Sequence, residues 1–105
     1  MLEISVPKIA QVILFAHEFD RAENEMRAFI EGLNEDEQAS LVAVMWIGRE
    51  SFGANELEEA LATARSEATT PTADYLLGTP HLGDHLEAGL NALGISATDA
   101  EEDLL

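Results

Sequence analysis

The sequence contains no cysteine, and its 105 residues include only five Lys and Arg against 21 Asp and Glu. Without cysteine the chain cannot form disulfide bonds, thiolate metal sites or a cysteine nucleophile. Without clustered bases it is not expected to bind nucleic-acid phosphates or anionic membrane surfaces. The longest apolar run, 41–47, is far shorter than the roughly 20 residues of a membrane span. We therefore predict neither a direct nucleic-acid partner nor a membrane partner.

The rest of the composition is that of a folded protein. Hydrophobic residues make up 47% of the chain, enough to bury a core despite a net charge of −16. The length is near the commonest domain size, so we predict one all-helical domain over 1–95. The acidic stretch 96–105 has few core residues and is predicted to be a frayed tail. Lack of cysteine and of a recognisable export signal favours the cytoplasm.

Helix signals dominate and predict an all-α fold, a compact irregular bundle of about five helices. Ser5 is a suitable N-cap for the first helix, and apolar residues then recur at helical spacing. We predict one long helix as far as Ile30, with 20–25 as its weak point because the apolar pattern thins there. Gly32 is suited to end it.

The next helix has the strongest start signal in the chain. Asn34 and Glu37 have the spacing of a capping box and precede the apolar run 41–47. A run that is apolar on every face predicts a helix surrounded by other helices. A buried strand is the alternative, because Val and Ile in the run are β-branched. Gly48 is predicted to end this helix.

Two Thr-Pro pairs, 70–71 and 79–80, have the residue types of helix starts. Each precedes an apolar segment, and Gly94 follows the second. Gly89 lies inside the apolar face of the last predicted helix. A missing side chain there would let a neighbouring helix approach closely.

Histidines on the last predicted helix are candidate metal ligands. His81 and His85 lie four residues apart, with Asp84 and Glu87 beside them. This spacing places both imidazoles on one face, so that His81, Asp84 and His85 could hold a divalent metal. His17 could contribute a third nitrogen if the first and last helices pack together. Ordinary boundary histidines are the competing interpretation, because 21 acids place a carboxylate near almost any histidine.

The apolar face of the first helix is a candidate surface for a protein partner, including a second copy of the chain. Trp46 and Tyr75 are candidates for a ligand pocket, although aromatic residues in apolar runs usually belong to the core. Arg49 is expected to pair internally with a carboxylate. No serine elbow or phosphate-binding loop is present, so we predict no catalytic residue and no cofactor. The residues proposed for the partner surface are Ile9, Val12, Ile13, Phe19 and Met26.

Three segments carry a resemblance to a known family. They are 28–38 (AFIEGLNEDEQ), 41–49 (LVAVMWIGR) and 75–84 (YLLGTPHLGD). The stretch 29–93, about two-thirds of the chain, resembles a family of small acidic proteins, mainly proteobacterial, that is known only as a domain of unknown function. The resemblance implies a bacterial, cytoplasmic protein. It implies no catalytic residues.

The function predicted from the sequence is a non-enzymatic protein-interaction module that can self-associate as a homodimer. The first alternative is a metal-binding protein or metal-dependent enzyme that uses His81, Asp84 and His85. The second alternative is an acidic mimic of nucleic acid that occupies a partner's basic groove, because the chain carries a net charge of −16.

Overall fold

Six α-helices and one 3-10 turn, Ala54–Glu56, form the computed structural model, which describes residues 2–67 and 70–95. No strand occurs among these residues, so the predicted all-α class is confirmed. Within them no helix is both long enough and apolar enough to cross a membrane. The predicted tail 96–105 lies outside the described residues. The helices are α1 Val6–His17, α2 Phe19–Glu31, α3 Glu35–Gly48, α4 Leu57–Ser66, α5 Thr72–Leu77 and α6 Leu82–Ala92.

The predicted long first helix is interrupted at Glu18, which separates α1 from α2. Glu18 leaves the helical conformation with φ −116° and ψ 35°, and its N–H bonds to the Phe15 carbonyl at 3.1 Å. A continuous helix over 6–31 would be about 39 Å long. The largest extent of the fold is only 33 Å. The break lets α1 and α2 pack against each other, with the Phe15 and Phe29 rings edge to face at 5.8 Å.

α3 is the central helix of the fold. Every residue over 39–47 is buried, and α3 contacts α4, α5 and α6. Its start is the predicted capping box, in which the Glu37 N–H donates to Asn34 Oδ1 at 2.8 Å and the Asn34 N–H donates to Glu37 Oε1 at 3.0 Å. The prediction of a buried helix instead of a strand is therefore confirmed.

α3 and α6 cross with their backbones in contact at two glycines. A Cβ on Gly89 would lie 2.1 Å from the Val44 carbonyl oxygen, and one on Gly48 would lie 1.6 Å from the His85 carbonyl oxygen. The predicted close approach at Gly89 is confirmed. α3 ends at Gly48, as predicted. Two residues later Glu50 takes a positive φ of 67° in the turn that follows the helix.

The second Thr-Pro pair does not start α6. The Thr79 hydroxyl instead donates to the Tyr75 carbonyl at 2.8 Å, which satisfies a free acceptor at the end of α5. α6 begins at Leu82, after His81 has adopted a left-handed conformation with φ 56°. α6 therefore begins two residues later than the Thr79-Pro80 pair predicted.

The Glu37 carboxylate is predicted to make stability depend on pH. The Lys8 ammonium and the Asn34 N–H both hydrogen-bond to it and lower the pKa of Glu37. Because the folded pKa lies below the unfolded value of about 4.3, the contribution is present above that value and is lost as the pH falls through the folded pKa. We expect the urea midpoint of the wild type to exceed that of Glu37→Gln at neutral pH. The two should converge as the pH falls through the lowered folded pKa, and a gap that widens in acid would contradict the assignment.

Candidate functional site

Four of the five residues proposed for a partner surface lie in the chain's own core. Ile9, Val12 and Ile13 are 0% exposed, and Met26 is 1% exposed. The Phe19 side chain lies outside the described part of the structure. The apolar face of the first helix is used internally because the break at Glu18 folds α1 and α2 onto the same core. A partner cannot reach the side chains of these four buried residues in the folded chain.

The histidines of the last helix are only partly brought together with carboxylates. The exposed His81 places Nδ1 4.0 Å from Asp84 Oδ2. The half-buried His85 contributes its backbone to the crossing with α3. Within the described residues, the ligand atoms of His81, Asp84 and His85 do not gather as one metal-sized group.

A different set of three converges where α1 ends beside α6. His17, Asp84 and Glu87 offer ligand atoms that all lie within 4.8 Å of one another. His17 Nε2 is 2.9 Å from Glu87 Oε1, and the two side chains are 46% and 36% exposed. Asp84 and Glu87 are three residues apart on α6 and so share a face. The set joins the end of one helix to the first turns of another.

Gly83 makes room for the His17 ring. A Cβ at Gly83 would lie 2.6 Å from Cδ2 and 2.8 Å from Nε2 of His17, closer than real Cβ atoms approach other atoms. Any other residue at this buried position would push the imidazole away from α6. The glycine therefore lets the imidazole lie against the helix, next to both carboxylates.

A cleft of about 410 Å³ adjoins this cluster. His17 and Asp84 line it together with apolar side chains from α1, α2, α5 and α6, among them Ala16, Met26 and Leu76. His81 also lines the cleft. The arrangement is a depression of mixed polar and apolar surface with imidazole and carboxylate groups in its lining.

A larger groove of about 790 Å³ runs along α3, α4 and α5. Its lining includes the apolar Ala39, Val42 and Ala64 and the aromatic Trp46 and Tyr75. The predicted association of the two aromatic residues with a pocket is consistent with this lining. Acidic residues from the start of α3 and the end of α4 lie along the same groove.

The aromatic part of the groove is held by hydrogen bonds and ring contacts. Trp46 Nε1 donates to the Tyr75 hydroxyl at 2.9 Å, and the Trp46 ring stacks on Phe52 with centroids 5.7 Å apart. Arg49 donates from Nη2 to the same hydroxyl at 3.5 Å and from Nε to Ser51 Oγ at 3.0 Å. Within the described residues, the contacts of Arg49 are with hydroxyls and not with the carboxylate that the sequence suggested.

Intramolecular pairs use most of the scarce positive charge. Three of the five bases form ion pairs with the chain's own acids: Lys8 with Glu37, Arg27 with Asp74 and Arg65 with Asp36. The Arg65–Asp36 pair, at 3.1 Å, bridges the groove from α4 to α3. Glu35 and Glu67 also line the groove and are exposed. The groove therefore combines an apolar, aromatic floor with a predominantly acidic rim.

Comparison with known proteins places the chain in a family. The family described as Protein of unknown function (DUF3775) matches residues 23–95. The chain belongs to this family. The resemblance predicted from residues 28–38, 41–49 and 75–84 is thereby confirmed. No curated protein and no solved structure matches the chain.

The DUF3775 match covers the two candidate sites unequally. It includes every described residue of the groove along α3, α4 and α5. It includes Asp84 and Glu87 but begins after α1, which supplies His17. In sequence terms, the groove belongs wholly to the DUF3775 segment, whereas the cluster combines that segment with α1.

Proposed function

We propose that this protein is an interaction module that binds a basic, amphipathic segment of another protein in the groove along α3, α4 and α5. The carrying observation is the composition of the groove, in which Val42, Trp46 and Tyr75 form the floor and Glu35 and Glu67 lie at the rim. Buried aromatic anchors surrounded by a polar rim are the usual anatomy of a protein interface. An acidic rim selects a partner that carries lysine or arginine beside its apolar residues.

The overall charge supports a cationic partner. Each copy carries a net charge of −16, which attracts positively charged partners over long range and repels a second copy. Homodimer formation therefore needs a contact in which this repulsion is screened. The bacterial cytoplasm, predicted from composition and family resemblance, is the setting that we propose for the interaction.

The distribution of acids favours the interaction module over a nucleic-acid mimic. Exposed carboxylates occur on α2, α3, α4, α5 and α6, including Glu23, Glu35, Glu59, Asp74 and Asp84. A mimic would require them to follow one face that matches a basic groove. A charged exterior around an aromatic groove is better suited to one bound segment.

An amphipathic lysine–leucine helical peptide should bind the groove and change the emission of Trp46, which is the only tryptophan in the chain. The double variant Glu35→Gln/Glu67→Gln should bind it roughly 3- to 10-fold more weakly, because each exposed charge contributes up to about 1 kcal/mol. Fluorescence titration at low and high salt measures both effects. Affinity should fall as salt screens the acidic rim.

The matched control is Glu23→Gln/Glu25→Gln, which removes the same number of exposed charges from α2, away from the groove. It should change the affinity less than about twofold. Equal weakening by both double variants would show that the peptide responds only to net charge. Oligolysine of the same charge should leave Trp46 emission unchanged, and sedimentation that shows a dimer unaffected by the peptide would favour self-association instead.

A further inference from the structure

We propose that His17, Asp84 and Glu87 form a binding site for one first-row divalent cation, with Zn²⁺ as the reference ion. The site is separate from the groove, and neither the family match nor the predicted interaction assigns it. It ties the end of α1 to α6 through one imidazole and two carboxylates. It also differs from the set predicted from spacing, which used His81 and His85 together with Asp84.

The donor set suits such an ion. One imidazole nitrogen and two carboxylate oxygens are common ligands of Zn²⁺ and of neighbouring first-row metals. Ligands at about 2.0–2.2 Å from a metal lie roughly 3–3.5 Å from each other. His17 Nε2 and Glu87 Oε1 are already 2.9 Å apart, and all three ligand atoms lie within 4.8 Å of one another. The set closes by rotation of these side chains, which are partly or largely exposed.

The imidazole is positioned by packing and not only by its ion pair. The His17 ring lies against the Cα of Gly83, where a Cβ would be 2.8 Å from Nε2. Gly83 is buried in the first turn of α6, between the turn that precedes the helix and Asp84. The contact aligns the nitrogen with both carboxylates, which share one face of α6.

Two of the three proposed ligands, His17 and Asp84, line the cleft of about 410 Å³. Three protein ligands with an open position are typical of metal sites that bind water or a small ligand, whereas structural sites are closed by four protein ligands. Apolar side chains such as Met26 and Leu76 line the remainder of the cleft. The geometry therefore favours an exchangeable ligand position on the cation.

Zinc titration of the purified full chain, with millimolar Mg²⁺ present to occupy nonspecific carboxylates, tests the site. We expect one Zn²⁺ per chain by calorimetry and by elemental analysis after dialysis. His17→Ala and Glu87→Gln should each weaken binding at least about tenfold, since each removes one of three ligands. Gly83→Ala should also weaken it by displacing the ring. Circular dichroism verifies that each variant is folded.

The matched control is His81→Ala/His85→Ala, which removes two histidines from the same region and keeps the proposed ligands. It should bind Zn²⁺ within about twofold of the wild type. If this control loses zinc while His17→Ala keeps it, the spacing-based set is correct and the inference is overturned. Absence of saturable binding by the wild type, or equal binding by all variants, would overturn it as well. Peptide binding by the groove is not required for any of these outcomes.

Discussion

Gly89→Ala is expected to destabilise the fold by about 3 kcal/mol or more, the upper part of the range for overpacked sites. The new methyl group would lie 2.1 Å from the Val44 carbonyl oxygen and 2.9 Å from its Cγ1. Backbone of α3 cannot rotate away as a flexible side chain can, so the two helices must separate. That separation loosens the contact of α6 with the central helix. Urea unfolding followed by circular dichroism measures the change.

Gly48→Ala should have an effect of similar size, because its Cβ would lie 1.6 Å from the His85 carbonyl oxygen. Gly32→Ala is the matched control. It has a helical φ of −79°, and its nearest neighbour would be 3.4 Å away, at ordinary contact distance. The control should be neutral or slightly stabilising. A loss below about 1 kcal/mol at both Gly48 and Gly89 would contradict the backbone crossing.

These two glycines show what local patterns can predict about packing. Gly89 was predicted to allow a close approach because it interrupts an apolar face. In the structure α3 does approach α6 closely at this glycine. Gly48 follows an apolar run at the end of a helix, where glycine usually acts as a stop. Its use in the crossing depends on where α6 passes, which no local pattern specifies. α3 does end at Gly48, and Glu50 in the turn after it has a positive φ of 67° that residue type alone does not predict.

Caps were predictable where both partners are close in sequence. Asn34 and Glu37 satisfy each other within one turn, so the start of α3 was predicted correctly. Thr79 has a choice of acceptors, and it bonds back to Tyr75 at the end of α5. The sequence predicted one helix through Glu18, with 20–25 as its weak point, because the thinning of the apolar pattern does not mark the point where the chain must turn. Tertiary packing decided both cases.

The candidate site was only partly predictable for the same reason. Asp84 was chosen from its spacing, and Glu87 was noted beside it. His17 was a conditional third ligand, which depended on α1 and α6 packing together. In the structure α1 and α6 do pack together, and the His17 ring lies against Gly83. The groove rim joins Asp36 to Arg65 across 29 residues of sequence, a contact that no periodicity indicates.

Ile13→Ala is expected to lower the free energy of unfolding by about 2–5 kcal/mol, the cost of removing a large buried aliphatic side chain. Ile13 is fully buried and belongs to the common core with α2, α3 and α6. The sequence placed it on a surface for a partner, where truncation would weaken association and leave the fold intact. The structure instead predicts a loss of stability, measured by urea unfolding at a fixed protein concentration.

Leu14→Ala is the matched control, because Leu14 is the next residue of α1 and is half-exposed. It should cost less than about 1 kcal/mol, as is usual away from the core. At a temperature where both variants are folded, neither should change the affinity for the lysine–leucine peptide, since α1 does not line the groove. If Ile13→Ala kept full stability but altered the sedimentation mass, Ile13 would be an interface residue. The assignment of the apolar face of α1 to the core would then be wrong.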